Sequence, residues 1–435
     1  MIQKGWFLAV RFSIKMAIKL FYRRIELQGY EDYPLKGPIL VAPNHQNAFM
    51  DALVAAVFAP RPIHFLTRAD VFKKGFADRL LRSFNMMPVY RQRDGKDSLQ
   101  KNEEVFEDCF KILRNNGAVL IFPEASHLGE RRLRNLSRGF TRIVFGALEN
   151  NEHLDIRVVP IGLNYSNYYA SQSRLLVNFG APLRVADYAE RYAANPAKAM
   201  SQLRNDLQAK LAEQIIHIEG ESAQRAFDIE MEWILPFYLQ RASGFTRPRY
   251  ELGFYRKRGQ LLDALSTDDP YFEKLTIYDA TMAKHKLQAP FFYISQKDPG
   301  YWVIQTLLLL VFLPVFGLAW LIQWPTYRTI RSVLHNFVKD RQFYSSVKLV
   351  GGLLLFPVFA LFYAALAAIL SPRPLLTIGL VLGFYLISVF IIRELRLPYR
   401  YFVTGCRMEW MRRRNRPLFN YLRLSEKFIL KHVAW

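Results

Sequence analysis

Short apolar runs alternate with helical patterns between residues 25 and 185. Stretches such as 97–115 and 139–150 place their apolar residues at helical spacing. Strands that alternate with helices predict βαβ units around a largely parallel central sheet flanked by helices. We therefore predict an α/β domain over residues 25–185. The predicted strands are 39–43, 62–66, 86–90, 118–122, 157–163 and 174–179.

The chain beyond residue 185 has a different pattern. Residues 186–300 are rich in charge and read as a mainly helical extension, with no clear strand signal. Three apolar stretches follow, at 302–324, 349–370 and 375–392. The first two are long enough to cross a hydrocarbon core of roughly 30 Å, and the third is marginal. We predict a transmembrane helical module over residues 301–392.

Two features bear on how this module crosses the membrane. The Pro372-Arg373-Pro374 turn predicts a helical hairpin between the second and third apolar stretches. Basic residues flank 302–324 on both sides, so the positive-inside tendency favours an even number of crossings. Pro314 and Gly317 make 302–324 a candidate for a re-entrant or in-plane helix.

Both ends of the chain combine basic and apolar residues. Residues 1–24 place Arg11, Lys15 and Lys19 on one helical stripe, with apolar residues on the other side. This pattern predicts an amphipathic membrane-surface helix, and the alternative is an ordinary helix packed on the domain. Residues 393–435 are basic and aromatic, which predicts a tail at the membrane surface.

Composition narrows the class of partner. The chain has 435 residues, a 51% hydrophobic composition and a formal net charge of +22. A strongly basic chain binds either nucleic acid or anionic lipid, and the long apolar stretches favour anionic membrane lipid over nucleic acid. The two cysteines, Cys109 and Cys406, have no metal-like spacing, so a reducing compartment is expected and no disulfide is required.

A polar block follows the first predicted strand. His45 and Asp51 stand directly after the run 39–43, where a parallel sheet usually places its chemistry. A neutral imidazole is a suitable base for a hydroxyl near pH 7, and a carboxylate on its other nitrogen fixes the tautomer. Since a six-residue offset does not share a helical face, His45 is expected in the strand-to-helix turn and Asp51 in the first turns of the helix.

A second polar block follows the buried run that ends at Ile121. Here Phe122-Pro123-Glu124 leads to Ser126. A carboxylate at the end of a strand can accept hydrogen bonds from two hydroxyl groups. Glu124 and Ser126 are therefore candidates for contact with a substrate that carries hydroxyls.

These blocks resemble motifs of the PlsC-like glycerolipid acyltransferases. The first block has the form Asn-His-x-Asn-x-Phe-x-Asp, which is similar to that of fungal acyltransferases acting on glycerol-3-phosphate and dihydroxyacetone phosphate. Its matching residues are Asn44, His45, Asn47, Phe49 and Asp51. The resemblance implies that His45 and Asp51 are catalytic and that Glu124 binds the acceptor's glycerol hydroxyls. Here one residue fewer separates Glu124 from Ser126 than in the fungal group.

Two further motifs of the family are similar to segments of this chain. The strand 87–90 ends at Arg91, which by resemblance clamps the acceptor phosphate, and Arg93 is a near neighbour that can replace it. Residues 158–165 resemble the last motif, in which Pro160 shapes the acceptor pocket. Arg138 and Arg142 follow Ser126 as possible phosphate contacts of the acceptor or of coenzyme A.

The resemblance implies a membrane-bound O-acyltransferase. The expected reaction moves a fatty acyl group from a coenzyme A or acyl-carrier-protein thioester to the sn-1 hydroxyl of glycerol-3-phosphate. The alternatives are acylation of lysophosphatidate at sn-2, or a catalytically silent lipid-binding membrane protein. Neither a metal nor a cofactor is expected, and without a Gly-x-Ser-x-Gly motif the transfer should be direct. We expect a multi-pass or hairpin-anchored membrane protein with its catalytic domain on the cytoplasmic side.

Overall fold

The chain folds into two compact units. The structure, a computed structural model, describes residues 2–72, 75–90, 98–126, 128–149, 154–235, 252–287 and 299–433. The first unit comprises Met1–Tyr168 and Ser173–His217. The second comprises Tyr169–Gln172 and Ile218–Trp435.

An eight-stranded sheet forms the centre of the first unit. Its strands are β1 (Arg24–Gln28), β2 (Ile39–Pro43), β3 (His64–Arg68), β4 (Met86–Val89), β5 (Ala118–Leu120), β6 (Arg157–Tyr165), β7 (Arg174–Phe179) and β8 (Leu183–Arg184). Their order is β1-β7-β6-β2-β5-β3-β4, and β8 also pairs with β6. Each of the six predicted runs overlaps a strand, which confirms the α/β prediction.

The sheet is parallel except around β6. Strand β6 runs parallel to β2 but antiparallel to both β7 and β8. The sequence did not predict β1, because its five residues (RIELQ) alternate polar and apolar side chains and lie at an edge where burial is only partial. Strands β2 and β5 are fully buried, so they read as unbroken apolar runs.

Helices pack around this sheet. They are α1 (Ile2–Phe21), α2 (Ala48–Phe58), α3 (Phe76–Ser83), α4 (Ser98–Arg114), α5 (Gly139–Leu148), α6 (Ala189–Ala194) and α7 (Pro196–Glu213). The first unit extends to His217, beyond the predicted limit at residue 185. The reason is that Leu203, Leu207 and Leu211 of α7 are fully buried in the same apolar core as the sheet. Their spacing of four residues places them on one face of the helix.

Helix α1 packs on the domain through its C-terminal half. Ile18 is fully buried, while Phe12 is 65% exposed. Two members of the predicted basic stripe contact the domain: Arg11 donates a hydrogen bond to the carbonyl of Ala59, and Lys15 lies 5.8 Å from the ring centre of Phe58. The basic stripe therefore lies partly against α2, and contact of α1 with a membrane surface stays a prediction.

The second unit is helical throughout the described segments 218–235, 252–287 and 299–433. Its helices are α8 (Glu221–Trp233), α9 (Leu252–Asp263), α10 (Pro270–Lys284), α11 (Pro299–Phe337), α12 (Tyr344–Leu370), α13 (Pro374–Arg414) and α14 (Arg416–Val433). Helices α11, α12 and α13 contain segments long and apolar enough to cross a membrane, and few of the side chains in these segments are buried. Such surfaces belong in lipid, which indicates membrane association.

The C-terminal segment differs in part from the predicted surface tail. Helix α13 continues without a break from its apolar half to Arg414. Helix α14 then buries Leu422, Ile429 and Val433 completely within the second unit. These side chains recur on one face of α14, so this face packs on protein.

Candidate active site

His45 and Asp51 form a hydrogen-bonded pair at the C-terminal end of β2. His45 lies in the turn between β2 and α2, and Asp51 lies in the first turn of α2. The Nδ1 atom of His45 is 3.0 Å from Oδ2 of Asp51. With the carboxylate as acceptor, Nδ1 carries the hydrogen and Nε2 carries the basic lone pair. The sequence predicted this placement from the six-residue spacing.

Asp51 is fully buried and accepts hydrogen bonds on both oxygens. The backbone N–H of Asn47 donates to Oδ2 at 2.6 Å, and the hydroxyl of Tyr165 donates to Oδ1 at 2.8 Å. A buried carboxylate is costly unless donors surround it. Together with His45, these donors stabilise the ionised form, which the imidazole needs as its partner.

Tyr165 is a member of the site that sequence reasoning missed. It is the last residue of β6, and its ring is fully buried. Burial, followed by the negative charge of Asp51, raises the pKa of Tyr165 well above its usual value of 10.0. The phenol therefore keeps its proton and acts as a donor. A buried tyrosine at the carboxyl end of a strand needs a polar partner, which was the available signal.

The imidazole of His45 stacks on the ring of Phe122. The ring centres are 3.9 Å apart and the planes differ by 17°. Phe122 stands just after β5, the strand next to β2, so the sheet itself brings the two rings together. This stack restricts rotation of the imidazole and covers one of its faces.

Glu124 connects the two polar blocks through backbone hydrogen bonds. Its Oε1 accepts from the N–H of His45 at 2.7 Å, and its Oε2 accepts from the N–H of Arg134 at 2.9 Å. The side chain is 5% exposed, and this burial is the main cause that raises its pKa from 4.5 to about 7. The backbone hydrogen bonds act in the opposite direction. Glu124 thus holds the turn that presents His45.

Ser126 contacts the same arginine. The guanidinium of Arg134 donates a hydrogen bond to the hydroxyl oxygen of Ser126. Arg134 is half-buried, and its backbone also bonds to Glu124, so the three residues form one cluster. The sequence contained Arg134 within a run of arginines but gave no reason to prefer it over its neighbours.

Three other predicted residues, Pro160, Arg138 and Arg142, lie within the described part of the chain. Pro160 is buried within β6 beside Ala42 of β2. Arg138 precedes α5 and is exposed, and the exposed Arg142 has its guanidinium 5.1 Å from the ring centre of Phe106. Arg91 and Arg93 lie outside the described residues. Within the described segments, no group of three histidine, cysteine, aspartate or glutamate side chains is arranged to hold a metal ion.

Two alanines near the His45–Asp51 pair have a left-handed backbone. Ala48 at the start of α2 has a φ of 42°, and Ala125 after Glu124 has a φ of 59°. Residues other than glycine rarely adopt this region, at a cost of roughly 1–3 kcal/mol each, and they concentrate at functional sites. Both strained residues adjoin the turns that present His45 and Glu124.

Comparison with known proteins agrees with this geometry. The family model described as Acyltransferase matches residues 24–164. "Glycerol-3-phosphate O-acyltransferase 2" of Saccharomyces cerevisiae is 31% identical over 103 residues, which are 23% of this chain and 14% of that protein. "Glycerol-3-phosphate O-acyltransferase 1" of the same yeast is 28% identical over 81 residues, or 19% and 11% of the two chains.

Two further similarities involve longer segments. An uncharacterized acyltransferase of Schizosaccharomyces pombe is 21% identical over 274 residues, which cover 43% of this chain and 41% of that protein. The chain therefore spans less than half the length of these three relatives. The crystal structure of the 1-acyl-sn-glycerophosphate acyltransferase PlsC from Thermotoga maritima aligns with a TM-score of 0.36 and 14% identity, over 49% of this chain and 80% of that one.

The matched segment contains every residue of the hydrogen-bonded site except Tyr165, which follows directly after it. Residues 24–164 thus match the Acyltransferase family model, and parts of the chain are similar to two glycerol-3-phosphate O-acyltransferases of yeast.

Proposed function

We propose that this protein transfers a fatty acyl group from a coenzyme A or acyl-carrier-protein thioester to the sn-1 hydroxyl of glycerol-3-phosphate. The observation that carries the proposal is the His45–Asp51 hydrogen bond, at 3.0 Å, within an Asn-His-x-Asn-x-Phe-x-Asp segment. The acceptor choice is supported by the names of the two yeast relatives.

His45 acts as the general base. Its Nε2 takes the proton of the acceptor hydroxyl as the oxygen attacks the thioester carbonyl. Asp51 keeps the hydrogen on Nδ1 and stabilises the imidazolium that forms. When the tetrahedral intermediate collapses, the C–S bond breaks and the imidazolium returns the proton to the thiolate. The products are the acyl ester and the free thiol, and no acyl-enzyme forms.

Glu124, Ser126 and Arg134 support the acceptor side of the site. Each carboxylate oxygen of Glu124 accepts one backbone hydrogen bond, which leaves it capacity for a hydroxyl of the substrate. Arg134 places a positive charge beside Ser126, and a guanidinium suits a phosphate group. Arg91, Arg93, Arg138 and Arg142 remain proposed phosphate contacts, and Pro160 a proposed wall of the acceptor pocket.

The site belongs at a membrane surface in this proposal. The acyl product and its membrane are both anionic, and the chain has a net charge of +22. Helices α11 to α13 supply the apolar anchor. We place the catalytic domain on the cytoplasmic side, where thioester donors are available.

An acceptor competition experiment tests the proposal. The purified full-length protein is given labelled acyl-coenzyme A or acyl-carrier protein, with glycerol-3-phosphate and lysophosphatidate at equal concentration. The proposal predicts 1-acylglycerol-3-phosphate as the main product. Mainly phosphatidate would instead identify an sn-2 enzyme. No thioester-dependent product with either acceptor would favour a silent lipid-binding protein.

A further inference from the structure

A buried ion pair joins the helices before the apolar module to the helix after it. The guanidinium of Arg258 in α9 bonds both carboxylate oxygens of Glu230 in α8, at 2.8 and 2.6 Å. The same guanidinium donates to the carbonyl oxygen of His432 in α14 at 2.7 Å. Arg258 is 4% exposed and Glu230 is fully buried. Burying either charge without its partner would be costly, so this pair indicates that α8, α9 and α14 pack together in one folded core.

Aromatic contacts strengthen this connection. Tyr271 of α10 is fully buried, and its ring centre lies 5.0 Å from that of His432. Lys274 of α10 lies 3.9 Å from the ring centre of Phe428 in α14. Helices α8, α9, α10 and α14 therefore form a single folded body, which we call the helical body.

The helical body fixes the parity of the membrane crossings. Its members α8 to α10 precede α11, whereas α14 follows α13. A polar folded body lies on one side of a membrane, so the chain that leaves it and returns must cross an even number of times. The segment 288–298 before α11 has eleven residues, fewer than the roughly 20 that a spanning helix needs. Three candidate spanning helices thus provide at most two crossings.

The contacts of α11 identify the helix that does not cross. The ring centre of Phe316 in α11 lies 5.5 Å from that of Tyr399 in α13, whereas Thr326, further along α11, contacts Tyr385, which comes earlier in α13. Helices α11 and α13 are therefore antiparallel in this region. The contact of Phe316 also lies on the basic half of α13, beyond its apolar half.

The same comparison holds between α11 and α12. The carbonyl of Ile322 accepts a hydrogen bond from Tyr363 at 2.9 Å, whereas Ile330 lies 3.2 Å from the position of a Cβ built on Gly351. Helix α11 is thus antiparallel to α12 as well. The chain reverses at Ser371, so α12 and α13 are antiparallel to each other. Three helices cannot each be antiparallel to the other two if all of them lie along the bilayer normal. At least one of the three is therefore tilted strongly away from the normal.

Two points along α11 lie against parts of the α12–α13 hairpin that are far from its tip. Ile330 is near Gly351, in the first turns of α12. Phe316 lies beside Tyr399, well along α13 from its start at Pro374. We propose that α12 and α13 cross the bilayer as a hairpin, while α11 lies obliquely across it in the leaflet at the open end and does not cross.

Charge agrees with this arrangement. The hairpin tip holds one basic residue, Arg373. Many more lie at the open end, namely Arg328, Arg331, Lys339, Arg341, Lys348, Arg393, Arg396 and Arg400. By the positive-inside tendency, the open end faces the cytoplasm and the tip faces the opposite side.

Polar side chains join α11 to the hairpin inside the module. The amide of Gln323 donates to the hydroxyl oxygen of Ser388 at 2.9 Å and to the carbonyl of Tyr385 at 3.2 Å. Gln323 and Ser388 are buried where neither water nor lipid can pair with their polar atoms, so they satisfy these atoms within the protein. The outward side chains of α11, such as Val311 at 69% exposure, then face acyl chains.

Cysteine labelling tests this topology with the full-length protein in bacterial membranes. The native Cys406 is exposed and reports on the open end, while Cys109 is buried. In a Cys406→Ser background, Lys284→Cys reports on the helical body, Lys339→Cys on the α11–α12 connection and Arg373→Cys on the hairpin tip. A membrane-impermeant maleimide is applied to intact spheroplasts and to inverted vesicles.

The proposal predicts labelling of positions 284, 339 and 406 only in inverted vesicles, and of position 373 only in spheroplasts. Opposite sidedness of positions 284 and 339 would show that α11 crosses and would overturn the proposal. Position 373 on the same side as 339 would also overturn it, because the hairpin would then not cross. Each position must label fully in detergent, and Ser371→Cys or Asp340→Cys replaces one that does not. Because acyl transfer is not measured, the result is independent of the proposed function.

Discussion

The hydroxyl of Tyr165 donates a hydrogen bond to Asp51 at 2.8 Å, on the carboxylate oxygen opposite the one that contacts His45. The two residues come from β6 and α2, which are far apart in sequence. Strand β6 pairs with β2, so the sheet delivers Tyr165 to the start of the helix that holds Asp51. We therefore propose that Tyr165 positions the His45–Asp51 pair.

Replacing Tyr165 with Phe should lower kcat about tenfold with little change in either KM. The variant removes one hydrogen-bond donor to the buried carboxylate of Asp51, a bond worth about 1.5–3 kcal/mol. Asp51 is then held less firmly against the imidazole of His45. Initial rates over a range of pH provide the measurement. Tyr168→Phe is the matched control, because its hydroxyl donates to Gln46 and not to Asp51. Equal effects of the two variants on kcat would contradict the positioning role.

Replacing Glu124 with Gln should lower kcat more than it raises the KM of the donor. An amide has only one acceptor oxygen, so the N–H of either His45 or Arg134 loses its partner. The loss should be about 10- to 100-fold, since an unsatisfied buried group costs about 1–3 kcal/mol. Steady-state kinetics with each substrate varied in turn measure it. A raised KM for the acceptor would also support the proposed contact of Glu124 with substrate hydroxyls. Unchanged kinetics would exclude both this contact and the role of Glu124 in holding the loop.

Glu124 should also make the stability of the first unit depend on pH. Its pKa in the folded protein, about 7, lies above the ordinary value of 4.5. The folded state therefore binds the proton more tightly, and this stabilisation is lost as pH rises through about 7. The difference in Tm between the wild-type protein and Glu124→Gln should shift against the wild type between pH 5 and pH 7.5. A constant difference would show that burial does not perturb Glu124.

Replacing Arg258 with Ala should destabilise the helical body by about 3–5 kcal/mol, because Glu230 would remain buried without its partner. The carbonyl of His432 also loses its donor, so helix α14 should detach first. Limited trypsin digestion should cut α14 near Lys427 faster than in the wild type. Arg256→Ala, two residues earlier in the same helix and only half-buried, provides the control. Unchanged digestion would contradict the central place of the ion pair.

The sequence predicted the sheet and the placement of His45 and Asp51 because both depend on local patterns. Buried parallel strands are continuous apolar runs, and the turn after β2 is set by the spacing of His45 and Asp51. The edge strand β1 was missed because half-buried positions leave only a short alternation. The sequence did not indicate that residues up to His217 share one compact unit with the sheet, because the burial of Leu203 and its helical neighbours depends on the core they meet.

Contacts between residues far apart in the sequence could not be predicted from the sequence alone. Tyr165 was visible only as part of a family-like motif, since its role requires the pairing of β6 with β2. The carboxylate of Glu124 was predicted to bind substrate, but its two backbone hydrogen bonds follow from the path of the loop to Arg134. The distribution of charge suggested an even number of membrane crossings. The hydrogen bond from Arg258 to the carbonyl of His432 is an independent argument, because it joins a helix before the apolar module to the helix after it.

The most direct test of the central claim is the initial rate of acyl transfer to glycerol-3-phosphate by His45→Ala. The account predicts a fall of about 10²–10⁴-fold, because the base that accepts the hydroxyl proton is gone. Equal membrane integration and an unchanged Tm would confirm that the fold is intact, and His335→Ala, at an exposed position in α11, should retain the wild-type rate. A His45→Ala protein that acylates glycerol-3-phosphate at nearly the wild-type rate would contradict the account.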